Sequence, residues 1–476
     1  VIDSTKIASL RAAFQGRLIT APEEQAPFLF DWRKRWKGRA LAVVQPDTAQ
    51  DVASILRWCN ATHTPIVPQG GNTGLVGAST PDPSGTAIVL SLARLNRVRS
   101  VDAINNTLVA EAGCILAQVQ QTAAAHSRLF PLSLAAEGSC TIGGNLSTNA
   151  GGVQVLRYGN ARELCLGLEV VTAQGELWDG LRGLRKDNTG YDLKHLFIGA
   201  EGTLGVITAA SLKLFAQPAA QMTSLAALRS PTHALGLLTL AQKHLGPALT
   251  AFELMSRYCI ELVLRHIPAS QDPFSAQHPH YVLLEASDAE GQDHAQARFE
   301  AMMHEALEAE LIDDAVVASS LQQSAQLWAL RENITEAQAK EGKNIKHDIS
   351  VPISAIDRFV DQTNETLGQR FPGIRMVVFG HLGDGNLHYN VSPAPGVDPE
   401  QFMQQEPEVN AVVYEAVARF SGSISAEHGI GLLKRDTNAA LKSPVELALM
   451  QTIKRALDPL GLMNPGRVLP TAESLR

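Results

Sequence analysis

The sequence predicts an α+β protein built from more than one domain. Two observations carry this expectation. At 476 residues the chain is longer than one ordinary hydrophobic core needs. Along it, β-rich runs punctuated by glycine alternate with stretches of helical period, and a Pro/Ala-containing break at "FAQPAAQMTS" separates two such regions. The divisions this implies are residues 1–215, 216–420 and 421–476.

In the first region "TAQDVASILRWCNATHTPIVPQGGNTGLVG" reads as a helix over 48–60, a strand at "TPIVPQ" and a glycine-rich loop. The runs "AIVLSL", "TLVAEAG", "GLEVVTAQGELWDG" and "GVITAASLKLF" read as strands. In the second region "HYVLLEASD", "NIKHDISVPI" and "GIRMVVFGHL" are strand-like and "GQDHAQARFEAMMHEALEAE" is helical, which predicts an antiparallel sheet with helices on one face. The last 55 or so residues, with "SPVELALMQTIKRALDP", read as a helical segment too short to fold alone, so it must dock on another part of the chain.

Composition narrows the function classes. Forty basic against 48 acidic residues give a net charge of −8 without a Lys/Arg stripe, which argues against nucleic acid as a partner. The five cysteines, at 59, 114, 140, 165 and 259, are odd in number and lack a C-x-x-C pair, as expected of reduced thiols. No run of 18 apolar residues exists, so no membrane span is expected. The expected compartment is the cytoplasm, or the mitochondrial matrix if a leader has been trimmed before Val1.

The segment "VFGHLGDGNLHYNV" carries a hairpin signal at Asp384-Gly385. A two-residue turn there would set His381 and His388 directly opposite each other, with Cβ atoms ~5 Å apart. Asn390 then shares their face by alternation. Glu427 in "SISAEHGIG" offers a carboxylate that would complete an open His₂-carboxylate set suited to zinc, iron or manganese. Taken alone, two histidines beside a turn fit ordinary surface residues equally well. The loops "PQGGNTGLVGAS", "EGSCTIGGNLSTNAGGVQVLRYG" and "FIGAEGTLGVIT" are dense in Gly, Ser, Thr and Asn, a composition that lets backbone N–H groups cradle an anion. None contains G-x-G-x-x-G, so a Rossmann nicotinamide site is not expected.

Together "PQGGNTGLVG", "GGNLSTNAGGVQVLRYG", "NTGYDLKHLFIGAEGTLGVIT", "FGHLGDGNLH", "SAEHGIG" and "MNPGRVL" resemble, in order and over about residues 35–470, the FAD-dependent 2-hydroxyacid dehydrogenases of the vanillyl-alcohol-oxidase superfamily. That resemblance implies a two-subdomain PCMH-type FAD-binding domain, a cap domain with an antiparallel sheet, and a C-terminal helical segment packing back on the FAD domain. It also implies that Pro68, Gly70, Gly71, Asn72, Thr73, Gly74, Leu75, Ser79, Gly138, Ser139, Gly143, Gly144, Asn145, Thr148, Asn149, Gly202, Gly205, Ile207 and Asn464 line the FAD. His381, His388 and Glu427 would hold a divalent metal, usually Zn²⁺, and His428 would be the catalytic base. Relatives with covalent FAD often carry histidine where this chain has Asn72, so the flavin is expected to be non-covalent.

Arg331 and Thr335, four apart on the helix implied by "LWALRENITEAQAKEGK", and Lys346 beyond it, suit a second carboxylate. This pattern is similar to the D-2-hydroxyglutarate branch of the family. The substrate expected is therefore D-2-hydroxyglutarate, with D-malate as another diacid and Asn390 at the first carboxylate. A D-lactate dehydrogenase or a glycolate oxidase subunit is the alternative within the family. Outside it, a non-flavin His₂-carboxylate metalloenzyme would explain the histidines but leave the glycine-rich loops without a role. The electron acceptor is expected to be an electron-transfer flavoprotein or a quinone, and the assembly a homodimer.

Overall fold

The structure is a computed structural model and describes residues 4–470. They form two compact units. One takes in the chain up to Gly151, Gly159–Gln217 and the chain from Glu427 onward; the other takes in Gly152–Tyr158 and Pro218–Ala426.

The first unit holds two main sheets. In the smaller, the strands run in the order Gly16–Ile19, Ala42–Pro46, Ile88–Ser91, Ile66–Gln69, and the last three are parallel. The helix Ala49–Thr62 matches the expected one within two residues. The Thr48 side chain accepts from the Asp51 N–H at its start, and His63 ends it in the left-handed region. Val52, Ile55, Leu56 and Cys59, on one stripe of that helix, are buried against this sheet's residues, each large apolar side chain contributing roughly 1.5–3 kcal/mol. The second sheet is five-stranded and antiparallel, ordered Val98–Asp102, Thr107–Glu111, Gly205–Lys213, Cys165–Thr172, Leu177–Gly180.

The chain's last segment belongs to this unit. Its helix, Pro444–Leu457, begins in a capping box formed by Ser443 and Glu446. Beyond it, Met463 pairs with Ile66 at the edge of the smaller sheet, and the Asn464 N–H donates to the Ile66 carbonyl at 2.8 Å.

The second unit is organised on a seven-stranded antiparallel sheet, in the order Asp314–Val317, Ala220–Leu228, His280–Asp288, Leu249–Ser256, Arg375–His381, Asn386–Ser392, Asp348–Ser350. The expectation of helices on one face is corrected: both faces are covered. Leu254, Leu284 and Tyr389 pack with the helices Pro231–Leu245, Gln292–Glu308, Ile356–Arg370 and Glu406–Arg419. Met255, Leu283 and Phe379, on the other face, pack with Arg257–His266, Leu321–Glu332 and Ile334–Glu341. The sequence carries this as near-continuous apolar strands such as "YVLLEA", which alternation alone would not produce.

All five cysteines are free and buried. Burial pushes the Cys114, Cys140 and Cys259 thiols up to about 11, so they stay protonated and inert. Among the described residues no helix is long and apolar enough to cross a membrane.

Candidate functional site

The loop Gly70–Ser79 has an unequal use of its backbone. Its last four carbonyls are bonded within the first unit: Val76 accepts from Leu432 and Leu433, Gly77 from Arg467 Nε at 2.9 Å, Ala78 from Asn464 Nδ2 at 2.9 Å and Ser79 from Gln69 Nε2 at 2.9 Å. Its N–H groups, among the described residues, donate to no protein acceptor. A run of such donors is the chemistry of an anion nest. Asn72, at φ 54°, closes the loop by donating to the Phe30 carbonyl and accepting from Ser79 Oγ.

The other glycine-rich segments converge here. A Cβ on Gly71 would lie 2.1 Å from the Ser139 carbonyl oxygen, and one on Gly70 would lie 2.4 Å from Thr141 Oγ1, a buried hydroxyl without a partner. Gly143, Gly144, Asn145 and Thr148 sit on the helix Ile142–Thr148, and Asn149 caps it at φ 53°. Gly202 stacks over Pro68, while Gly205 and Ile207 open the adjoining strand. By contrast a Cβ on Gly74 or Gly138 would meet no protein atom within 4 Å. Thr73 and Leu75 belong to the same loop. Unbonded donors, an orphaned hydroxyl and space above two glycines suit a large anionic cofactor such as FAD.

Glu201 was not singled out from sequence. It is buried, and its carboxylate accepts from the Ile430 N–H at 2.6 Å and the Gly431 N–H at 2.8 Å. It therefore holds the loop that carries Glu427 and His428. Gly431 is obligatory there: φ is 50°, and a Cβ would fall 2.4 Å from the Val76 carbonyl oxygen. Burial pushes the Glu201 carboxyl up to about 7, against the opposing pull of those two N–H donors.

In the second unit the hairpin register differs from expectation. His388 pairs with Phe379, and the turn is four residues, Leu382–Gly385, with the Asp384 and Gly385 N–H groups both donating to the His381 carbonyl. Only Gly385, at φ 90°, takes a positive φ in the Asp-Gly pair, so the type I′ turn does not form. The slip is two residues, which preserves the face. His381 and His388 are diagonal neighbours with ring centroids 5.8 Å apart.

His381 is buried and its Nδ1 lies 2.6 Å from Glu253 Oε1; the two residues are register partners on adjacent strands. Glu253 Oε2 accepts from Arg331 Nε at 2.8 Å. Burial would push the Glu253 carboxyl up, but His381 and Arg331 overcome it and hold it at about 2. A carboxylate can only accept, so His381 Nδ1 carries a proton, and in the neutral ring the lone pair then sits on Nε2, the tautomer a metal ligand needs. Within the second unit His381, His388 and Asp348 carry side chains with metal-ligand chemistry, while Glu427 and His428 belong to the first. Glu427 directly follows Ala426, the last residue of the second unit.

The single helix expected across Arg331 and Thr335 is two, Leu321–Glu332 and Ile334–Glu341, joined at Asn333. Arg331 is buried and its Cζ lies 4.8 Å from the centre of the Phe379 ring, whereas Thr335 is exposed. Lys346 lies just before the short strand Asp348–Ser350. Asn390 is buried on the histidine face, donating to Gln338 Oε1 at 2.8 Å and accepting from the His347 N–H. Glu253 was missed in sequence. Its signal was a lone carboxylate within the apolar strand "LTAFELMS", a charge that must find partners once buried.

Residues 40–180 match the family described as FAD binding domain, and residues 217–468 the family described as FAD linked oxidases, C-terminal domain. The chain therefore belongs to the FAD-linked oxidases, flavoproteins of the PCMH/vanillyl-alcohol-oxidase superfamily. Within them it is an FAD-dependent oxidoreductase related to D-2-hydroxyglutarate dehydrogenase. It is 42% identical to the mitochondrial D-2-hydroxyglutarate dehydrogenase of Bos taurus, over 99% of this chain and 84% of that one. It is 40% identical to the D-2-hydroxyglutarate dehydrogenase of Xanthomonas citri pv. viticola, over 98% of each. Its fold is shared with p-cresol methylhydroxylase, at a TM-score of 0.77, 14% identity and coverage of 98% of this chain and 97% of that one.

Two predictions follow from the first unit's geometry. Gly71→Ala drives a Cβ into the Ser139 carbonyl, and the purified protein is expected to hold FAD at least about tenfold more weakly, the consequence of as little as 1.4 kcal/mol. The flavin-to-protein absorbance ratio measures it; full FAD loading would count against the convergence of these loops as a flavin cradle. The second concerns pH. The Glu201 carboxyl is raised in the folded state, from 4.5 to about 7, so the folded protein binds more protons and its stability falls as pH rises through that window. The melting temperature of the native protein minus that of Glu201→Gln should therefore decrease between pH 5 and 7.5. Parallel profiles would mean that Glu201 is ionised throughout.

Proposed function

We propose that this protein oxidises D-2-hydroxyglutarate to 2-oxoglutarate, passing two electrons to non-covalently bound FAD, with D-malate as a second diacid substrate. The observation that carries the substrate is Arg331. Its guanidinium is buried, and among the described residues its only hydrogen bond is from Nε to Glu253. The Nη edge of a buried guanidinium fits a carboxylate bidentately, and a diacid supplies one beyond the carboxylate next to the reacting carbon. The relatives named for D-2-hydroxyglutarate support the same reading. Thr335, Lys346 and Asn390 are proposed as further substrate-binding residues.

When bound, FAD supplies a two-electron acceptor and a divalent metal, which we take to be Zn²⁺, supplies Lewis acidity at the substrate hydroxyl. His381, through Nε2, His388 and Glu427 would hold that metal. His428 would take the hydroxyl proton, and as a group whose ordinary pKa is near neutrality it suits that task. Arg331 would fix the distal carboxylate and so orient C2. An electron-transfer flavoprotein or a quinone would reoxidise the flavin.

An anaerobic visible spectrum tests the whole reading. Flavin bands should bleach on addition of D-2-hydroxyglutarate, faster than with D-lactate, and should persist after chelator treatment. In His428→Ala, metal and flavin should remain while bleaching slows by about 10²- to 10⁴-fold; metal loss in that variant would make His428 a ligand. Arg331→Gln keeps an N–H at the position of Nε for Glu253 and removes the Nη fork. It should lower kcat/KM for D-2-hydroxyglutarate by about 10²-fold or more, the usual weight of a buried charge pair, and affect D-lactate far less. Equal losses on both substrates would sink the second-carboxylate assignment.

A further inference from the structure

We infer that Glu253 is a positioning residue that sets two functions at once: which nitrogen His381 offers to a metal, and where Arg331 presents its guanidinium to a substrate carboxylate. The inference rests on the metal and diacid reading above and adds a physical link between its two halves.

The geometry is a closed arrangement within one unit. Glu253 and His381 are register partners, so their side chains leave neighbouring strands on the same face. Each Glu253 oxygen takes one donor, Oε1 from His381 Nδ1 at 2.6 Å and Oε2 from Arg331 Nε at 2.8 Å. The Arg331 guanidinium lies over the Phe379 ring, and that ring packs on His388, its own register partner, at 4.9 Å between centroids. Moving Glu253 therefore disturbs both histidines and the arginine.

Chemistry makes the link asymmetric. Glutamine at 253 has one acceptor oxygen where glutamate offers two. Facing its amide nitrogen toward His381 turns Nδ1 into an acceptor, protonates Nε2 and removes the metal's lone pair. Facing it toward Arg331 leaves a buried guanidinium without an acceptor. Arg331→Gln does neither, because it leaves the Glu253–His381 bond in place.

The test uses the full-length FAD-loaded protein, with zinc affinity read by competition against a chromogenic chelator and KM read separately from kcat. Glu253→Gln should keep its flavin, weaken zinc by about 10- to 100-fold, the usual effect of losing an outer-shell partner, and raise KM for D-2-hydroxyglutarate at least tenfold. Arg331→Gln should raise that KM with zinc affinity within about twofold of native. If Glu253→Gln does not yield folded protein, Glu253→Asp, which keeps the charge but is one carbon too short to reach both donors, must show the same joint loss. Native zinc affinity in the Glu253 variant, with zinc lost in His381→Ala, would overturn the role of Glu253 and leave the metal reading intact. Native zinc affinity in His381→Ala would instead remove the metal reading, and this inference with it.

Discussion

A carboxylate with no exposure at all sits in the second unit's sheet, and much of the local structure follows from the need to compensate it. Desolvating an isolated carboxylate costs several kcal/mol, so Glu253 persists only because two donors reach it from two different elements. One is His381, on the neighbouring strand; the other is Arg331, on the helix Leu321–Glu332 that covers this face. That helix must therefore dock in one rotational setting, which also places Leu327 and Leu330 in the apolar cluster with Met255 and Phe379. Replacing such an ion pair by hydrocarbon is often neutral or favourable for stability. Its retention here points to what the pair positions.

The first unit meets the opposite problem, an irregular backbone that must stay ordered without a ladder. The Gly70–Ser79 loop solves it by spending its carbonyls on side chains and backbone from the chain's last segment, chiefly Asn464, Arg467 and the Leu432–Leu433 N–H groups. Binding an anion needs N–H groups, and fixing the loop through its carbonyls leaves them available. The docking of the last segment is thus part of how the loop is shaped, and the same segment is tied at its start by Glu201.

The elements legible in sequence were those with strong local signals. The helix after Thr48, the strand at 280–288 and the helix at 444–457 lie within a residue or two of the sequence runs that predict them. The glycine-rich loops were legible as places of close backbone approach because three of them fall within about 140 residues, although tight turns are the commoner use of any one. What was not legible depends on residues far apart in sequence. The Asp-Gly signal found the hairpin but missed its register, because the pairing of Phe379 with His388 is decided by packing across the sheet and by the neighbouring strand carrying Glu253. Parity survived since a two-residue slip preserves the face, so the histidines remained neighbours although the turn was wrong. Arg331 and Thr335 were read on one helix, whereas the segment is two helices meeting at Asn333, and the two side chains differ in burial.

Selectivity has a physical form on the proposed reading. A hydrophobic pocket that merely fits a longer substrate discriminates weakly, since one methylene is worth only about 1–3 kcal/mol. A buried guanidinium discriminates differently, by the penalty of leaving it unpaired when the smaller acid binds. Arg331 has that character on this reading, for Glu253 engages Nε alone and the Phe379 ring, centred 4.8 Å from Cζ, accepts no conventional hydrogen bond. A monoacid would bind with those N–H groups unanswered, whereas a diacid supplies both acceptor oxygens. On that reading the discrimination lies in the guanidinium's Nη donors more than in the size of the cavity, with Glu253 engaging Nε and leaving the fork to the substrate.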